Sequence, residues 1–166
     1  MNHTASPPAV PGLEATAWYL TFGIDAEVFA INVVQVREVL GLCPFTRVPN
    51  TPPFVRGMIS LRGKGVPVID LRVKFGLSPT EATDKTRIIV LDMQVEGTSL
   101  IIGVLADRVY EVATLEANDT EPPPNIGVRW RSEAIRGIGR RGDAFIIILN
   151  LNRVLTSDEL NVIENP

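Results

Sequence analysis

Few side chains in this 166-residue chain have the chemistry to catalyse or to hold a metal. The one histidine, His3, lies in a Pro-, Ala- and Thr-rich leader, which removes the usual general base and the commonest zinc ligand. The one cysteine, Cys43, has no activating partner in its surroundings and excludes an internal disulfide, so it reads as a small, half-buried apolar residue. One cysteine and one histidine are too few for a structural zinc centre, and no catalytic, metal or cofactor site is expected. The run Arg62-Gly63-Lys64-Gly65 lacks the spacing of a phosphate-binding loop and leads into a strand pattern, so it reads as a turn. Three charged residues remain of interest. Asp70 is a possible general acid or base, Glu38 sits in a Val-rich stretch, and Arg62 opens the glycine-rich turn.

An internal repeat weighs on all three. Residues 54–75 recur 80 positions later as residues 134–155, without a gap. Each copy runs apolar-Arg-Gly-apolar, then a Gly/Arg turn, an apolar strand, Asp or Asn, Leu and a short amphipathic tail. Asp70 is replaced by Asn150 in the second copy, and an amide cannot act as acid or base, so both are assigned as helix caps. Val36-Arg37-Glu38-Val39 recurs 73 positions later as Val109-Tyr110-Glu111-Val112, so Glu38 has an echo in Glu111. The change of offset places an insertion in the second copy, after the prolines at 122–124. Arg62 has no counterpart, because position 142 is Gly; the first copy carries a charge where the second has none. A duplication implies two similar halves, with a seam between them where a partner can dock.

Hydrophobic residues make up 45% of the chain, enough for a sizeable core. The net charge of −3 and pI near 5.2 argue against a nucleic-acid binder, as does the lack of interleaved basic and aromatic residues. No signal-peptide pattern is present, and every apolar run falls short of the roughly 20 residues a membrane helix needs. A soluble cytoplasmic protein with no direct membrane insertion is expected.

These residues must be positioned by short elements. Residues 1–16 read as a disordered leader, 17–160 as the folded domain and 161–166 as a tail. Alternation from Trp18 to Phe22 predicts a strand, Gly23-Ile24-Asp25 a turn, and Val28–Ile31 a returning strand. Val33, Val36, Val39 and Leu40 lie at helical spacing, predicting a short helix capped by Asn32. Residues 45–48 read as extended before the prolines at 49, 52 and 53. Strands are predicted over Val66–Ile69, Arg87–Met93, Leu100–Leu105 and a buried Phe145–Leu149, with a turn at Glu96-Gly97 and a rigid connector at 121–124. Short helices follow Asp70 and Asn150, and Thr156 to Glu159 has capping-box spacing. Trp18 and Trp130 read as core or boundary aromatics. Many short strands with Gly/Pro turns indicate an all-β fold, and the duplication favours two small barrels.

The stretch TRVPNTPPFVRGMISLRG over residues 46–63 resembles the CheW family of bacterial chemotaxis coupling proteins. PVIDLR over 67–72 with Phe75-Gly76, TRIIV over 86–90, VYEV over 109–112, EPPP over 121–124, GIG over 137–139 and FIIIL over 145–149 are similar too, so the resemblance covers roughly residues 17–160. It implies two five-stranded SH3-like β-barrel subdomains around a shared hydrophobic core, with short helices and no enzymatic activity. It implies an adaptor that couples the cytoplasmic tips of methyl-accepting chemoreceptors to the regulatory domain of the histidine kinase CheA, recruited to membrane-associated arrays. Receptor-groove positions carry over onto Val33, Val36, Glu38, Gly57 and Arg62, with the apolar residues packing on a receptor helix. Glu38 and Arg62 either bond the receptor or pair with each other. No motif marks kinase-binding residues. Ser60 replaces the usual Asn, and Asn150 stands where an acid is common. The chain's end soon after the second copy favours a free adaptor over a CheV protein or the kinase. An adaptor of the same fold in pilus motility or second-messenger control is the alternative.

Overall fold

Two curled sheets, one joining strands from both ends of the chain and the other built from its middle, face each other across a common core. The computed structural model describes residues 16–95, 97–116, 119–122 and 134–164. The chain runs β1 (Thr16–Ile24), β2 (Glu27–Asn32), a single 3-10 turn (Val33–Gln35), β3 (Val36–Gly41), β4 (Val55–Leu61), β5 (Lys64–Asp70) and α1 (Leu71–Lys74). It continues with β6 (Arg87–Val95), β7 (Thr98–Ala106), β8 (Arg108–Glu116), β9 (Thr120–Glu121), β10 (Ile135–Arg141), β11 (Ala144–Leu149), α2 (Leu151–Val154) and α3 (Ser157–Glu164). One sheet has the order β8-β1-β2-β11-β10-β9 and the other β3-β6-β7-β5-β4.

The repeat is written into this topology. β4–β5 and β10–β11 are equivalent hairpins, and each carries a bulge at the same place, between Val55 and Gly57 in one and between Ile135 and Gly137 in the other. β5 pairs in parallel with β7, and β11 pairs in parallel with β2. The hairpin β1–β2 is therefore used by the second copy, and β6–β7 by the first. Each sheet is five strands plus a short closing segment: β9 on β10 in one, the bridge between Thr46 and Met58 in the other.

Continuous apolar strands follow from burial on both faces. In β6, Ile88 and Val90 fill the interior of their own barrel with Ile59, Val66 and Val68, while Ile89, Leu91 and Met93 point into the common core. The other barrel is filled by Tyr19, Ala30, Leu115, Ile146 and Ile148. Between the barrels lie Phe22, Phe29, Ile69, Phe75, Leu149 and Leu151, with the Phe29 ring stacked between Phe22 at 5.9 Å and Phe75 at 5.6 Å. The seam between the barrels is thus filled by side chains.

Several local expectations change. Asn32 does cap, accepting from the Val34 N–H at 3.0 Å, but only one 3-10 turn follows. From Val36 the chain is strand, because β-branched residues pair well on β6 and the operative period is two. The first turn is Asp25-Ala26, since β1 continues through Ile24 opposite Glu27. Trp18 is 57% exposed and Phe145 is 54% exposed, so neither is a core residue; Tyr19 and Ile146, their neighbours on the opposite face, are buried instead. Asn150 makes no side-chain cap bond. Its main chain still copies Asp70: each N–H donates across its bulge, Asp70 to the Phe54 carbonyl at 2.7 Å and Asn150 to the Ala134 carbonyl at 2.8 Å. The tail expected from 161 begins inside α3, whose Ile163 is buried. His3, Glu96, Pro123, Pro124, Trp130, the site of the insertion and the leader up to residue 15 lie outside the described residues.

Candidate functional site

Glu38 projects from β3 and Arg62 from the β4–β5 turn, the two edges of one sheet. Curling the sheet brings these edges together. The Arg62 guanidinium donates two parallel hydrogen bonds to the Glu38 carboxylate, each 2.9 Å long. This bidentate pairing is the strong geometry for arginine and carboxylate. It holds the Glu38 carboxyl below the usual carboxylate range, against a smaller desolvation effect, and raises Arg62. The Arg62 side chain is 71% exposed, so its outer edge faces solvent.

Arg62 also bears a backbone constraint. It and Gly63 are the two turn residues between Leu61 and Lys64, with φ of 51° and 79°. Such a turn needs left-handed residues, which cost a side-chain-bearing residue about 1–2 kcal/mol. The repeat counterpart Gly142 holds a φ of 62° without that cost. The second copy nevertheless has its own bridge: Arg141, one residue earlier, pairs with Glu111, the echo of Glu38. The expectation that the second copy lacks this charge is corrected. The arginine has moved from the turn to the strand end, and a one-residue shift hides it from a positional comparison.

The other expected groove residues differ in kind. Val33 sits in the 3-10 turn and is partly exposed, beside Val34, which is 86% exposed. Val36 opens β3 and packs against the common core while remaining partly exposed. Gly57 is buried, with φ of 146°, and a Cβ there would meet the Thr46 carbonyl oxygen at 2.6 Å. That strap is tight because Thr46 and Met58 exchange both main-chain hydrogen bonds, at 2.8 and 2.7 Å. Gly57 therefore serves the backbone.

Asp70 is confirmed as a cap. Its buried carboxylate accepts from the Arg72 N–H at 3.0 Å and from Arg56 at 3.3 Å. Cys43 is partly buried against the apolar interior of its barrel. Among the described residues no group of three or more His, Cys, Asp or Glu is placed to hold a metal, and no helix is long and apolar enough to cross a membrane. Sequence reasoning missed a second cation beside the site, Arg37, which pairs with Asp92 at 3.6 Å, and an ion network in which Arg72 reaches Asp107 at 2.9 Å and Asp25 at 3.6 Å. These pairs join residues far apart in sequence, and no local spacing signals them.

The chain is similar to characterised proteins over most of its length. The CheW-like domain family matches residues 18–159. Chemotaxis protein CheW of Klebsiella aerogenes is 33% identical over 147 residues, covering 89% of this chain and 86% of that protein. Chemotaxis protein CheW of Helicobacter pylori is 32% identical over 145 residues, covering 87% and 85%. The crystal structure of the scaffolding protein TtCheW from Thermoanaerobacter tengcongensis superposes with a TM-score of 0.75 at 31% identity, covering 86% of this chain and 94% of that one. The paired SH3-like barrels, the duplicated bulged hairpins and this likeness across both copies place the chain in the CheW family.

Proposed function

We propose that this chain is a non-catalytic adaptor that couples transmembrane chemoreceptors to the histidine kinase CheA, working in the cytoplasm at membrane-associated receptor arrays. The observation that carries the receptor contact is the Glu38–Arg62 bridge: two charged groups locked in one geometry, with the guanidinium edge open to solvent. A fixed, partly unsatisfied donor is suited to setting the register of a partner helix. Val33 and Val36, partly exposed on the same chain segment, supply apolar contact, and Gly57 keeps the backbone strap in place. Membership of a family of scaffolds supports the absence of catalysis.

The decisive measurement is reconstitution of receptor membranes, kinase and adaptor. Kinase stimulation is expected only with all three present, and Arg62→Ala is expected to reduce both co-sedimentation and stimulation. Full kinase coupling without this protein, in a background with no paralogue, overturns the reading.

A further inference from the structure

We infer that the cavity beside Arg62 selects an amphipathic partner helix that carries a carboxylate, with Lys64 as the specificity-determining cation. This rests on the proposed receptor reading and names the chemistry of the partner. The cavity measures about 390 Å³ and has apolar walls from Met58, Leu61, Leu100 and Ile163. Arg37, Arg62 and Lys64 also line it, and no carboxylate does among the described residues. Arg37 is paired with Asp92, and Arg62 gives two hydrogen bonds to Glu38. Lys64 is exposed and has no carboxylate partner among the described residues, so the unmatched charge at this rim is its own.

The duplication supplies an internal control. The equivalent hollow of the other barrel is lined by Tyr110, Arg141, Ala144 and Ile146, the counterparts of Arg37, Leu61, Lys64 and Val66. It is smaller, at about 190 Å³, and its one cation among the described residues, Arg141, is paired with Glu111, which also lines it. Among the described residues, apolar space with an unpaired cation therefore belongs to the first copy. A helix presents residues four apart on one face, so an apolar side chain entering the cavity can place a carboxylate one turn away on Lys64.

Two designed helical peptides test this, identical except for Glu or Lys four positions after a central leucine. Fluorescence anisotropy at low salt is expected to give about a fivefold preference for the Glu peptide. The preference should shrink as salt rises, vanish in Lys64→Ala and reverse in Lys64→Glu, with circular dichroism and Tm unchanged. Equal binding of the two peptides, binding of neither, or a preference that survives Lys64→Glu overturns the inference. Co-sedimentation with native receptor membranes separates it from the parent reading. Wild type and Lys64→Glu sedimenting equally sinks the Lys64 selectivity and leaves the receptor contact standing, whereas wild type failing to sediment sinks both.

Discussion

Arg62 and Gly57 both stand at unusual backbone angles, for opposite reasons. Arg62 occupies a left-handed turn position in spite of its side chain, and its repeat partner Gly142 marks the unstrained solution. Such strain persists where the surroundings or function retain it. Arg62→Gly is thus expected to be more stable than Arg62→Ala by about 1 kcal/mol in urea unfolding, although both lose the same bridge and the same binding. If the two are equally stable, the turn is not strained. Gly57 is held left-handed under the Thr46 carbonyl, so Gly57→Ala is expected to cost about 2 kcal/mol or more. A Gly57→Ala protein with wild-type stability and impaired receptor binding would reassign Gly57 to the contact surface. The sequence singled out Glu38, Gly57 and Arg62 but left the pairing open, because residues 38 and 62 are joined only when the sheet curls.

The C-terminal helix is held by one well-defined contact set. Thr156 and Glu159 cap each other, the Thr156 N–H donating to Glu159 at 2.8 Å and the Glu159 N–H to the Thr156 hydroxyl at 3.1 Å. Lys74 of α1 reaches the same carboxylate at 2.6 Å and lies over the Phe54 ring at 4.8 Å. Burial pushes the Glu159 carboxyl up, but the Lys74 and Thr156 hydrogen bonds outweigh it and hold it below its ordinary value. A carboxyl lowered on folding contributes stability that is present above its unfolded pKa, near 4.5, and lost as pH falls through the lower folded value. Glu159→Gln is therefore expected to be less stable than wild type at pH 7, by about 1–2 kcal/mol, with the gap closing as pH falls below 4.5 and through the lower folded value. A gap independent of pH counts against the bridge. The two repeat-equivalent positions before α1 and α2 differ in urea unfolding: Asp70→Ala should cost about 2–3 kcal/mol and Asn150→Ala under about 1 kcal/mol, because only Asp70 is buried against an arginine and bonds its helix. The capping box was legible from spacing. The strand at Val36 was not, because Val33, Val36, Val39 and Leu40 satisfy a helical period by coincidence and the edge of β6 decides between the two.

For the whole molecule, exchange of hairpins makes the halves interdependent. β1–β2 completes the sheet of the second copy, β6–β7 that of the first, and the common core draws on both. Unfolding is expected to be a single transition, with far-UV circular dichroism and tryptophan fluorescence coincident in urea. A cut in the irregular segment between α1 and β6, at residues 78–85, should give two fragments that are unfolded alone and regain native circular dichroism when mixed. A fragment of residues 16–77 that folds by itself would show that the exchange does not govern stability.

The all-β class, the duplication, the hairpin with its Arg-Gly turn, and the residues that cap α1 and α3 were legible in the amino-acid sequence. These depend on local periodicity and on side chains a few residues apart. It took the folded chain to settle which hairpin serves which barrel, that the seam is closed by apolar side chains, that Glu38 and Arg62 meet, that Arg141 and Glu111 repeat the bridge, and that Lys64 has no carboxylate partner among the described residues beside its cavity. Each of these is a long-range pairing. Strand partners and sheet curvature are selected by which surfaces bury most apolar area together, and no window of sequence contains that sum.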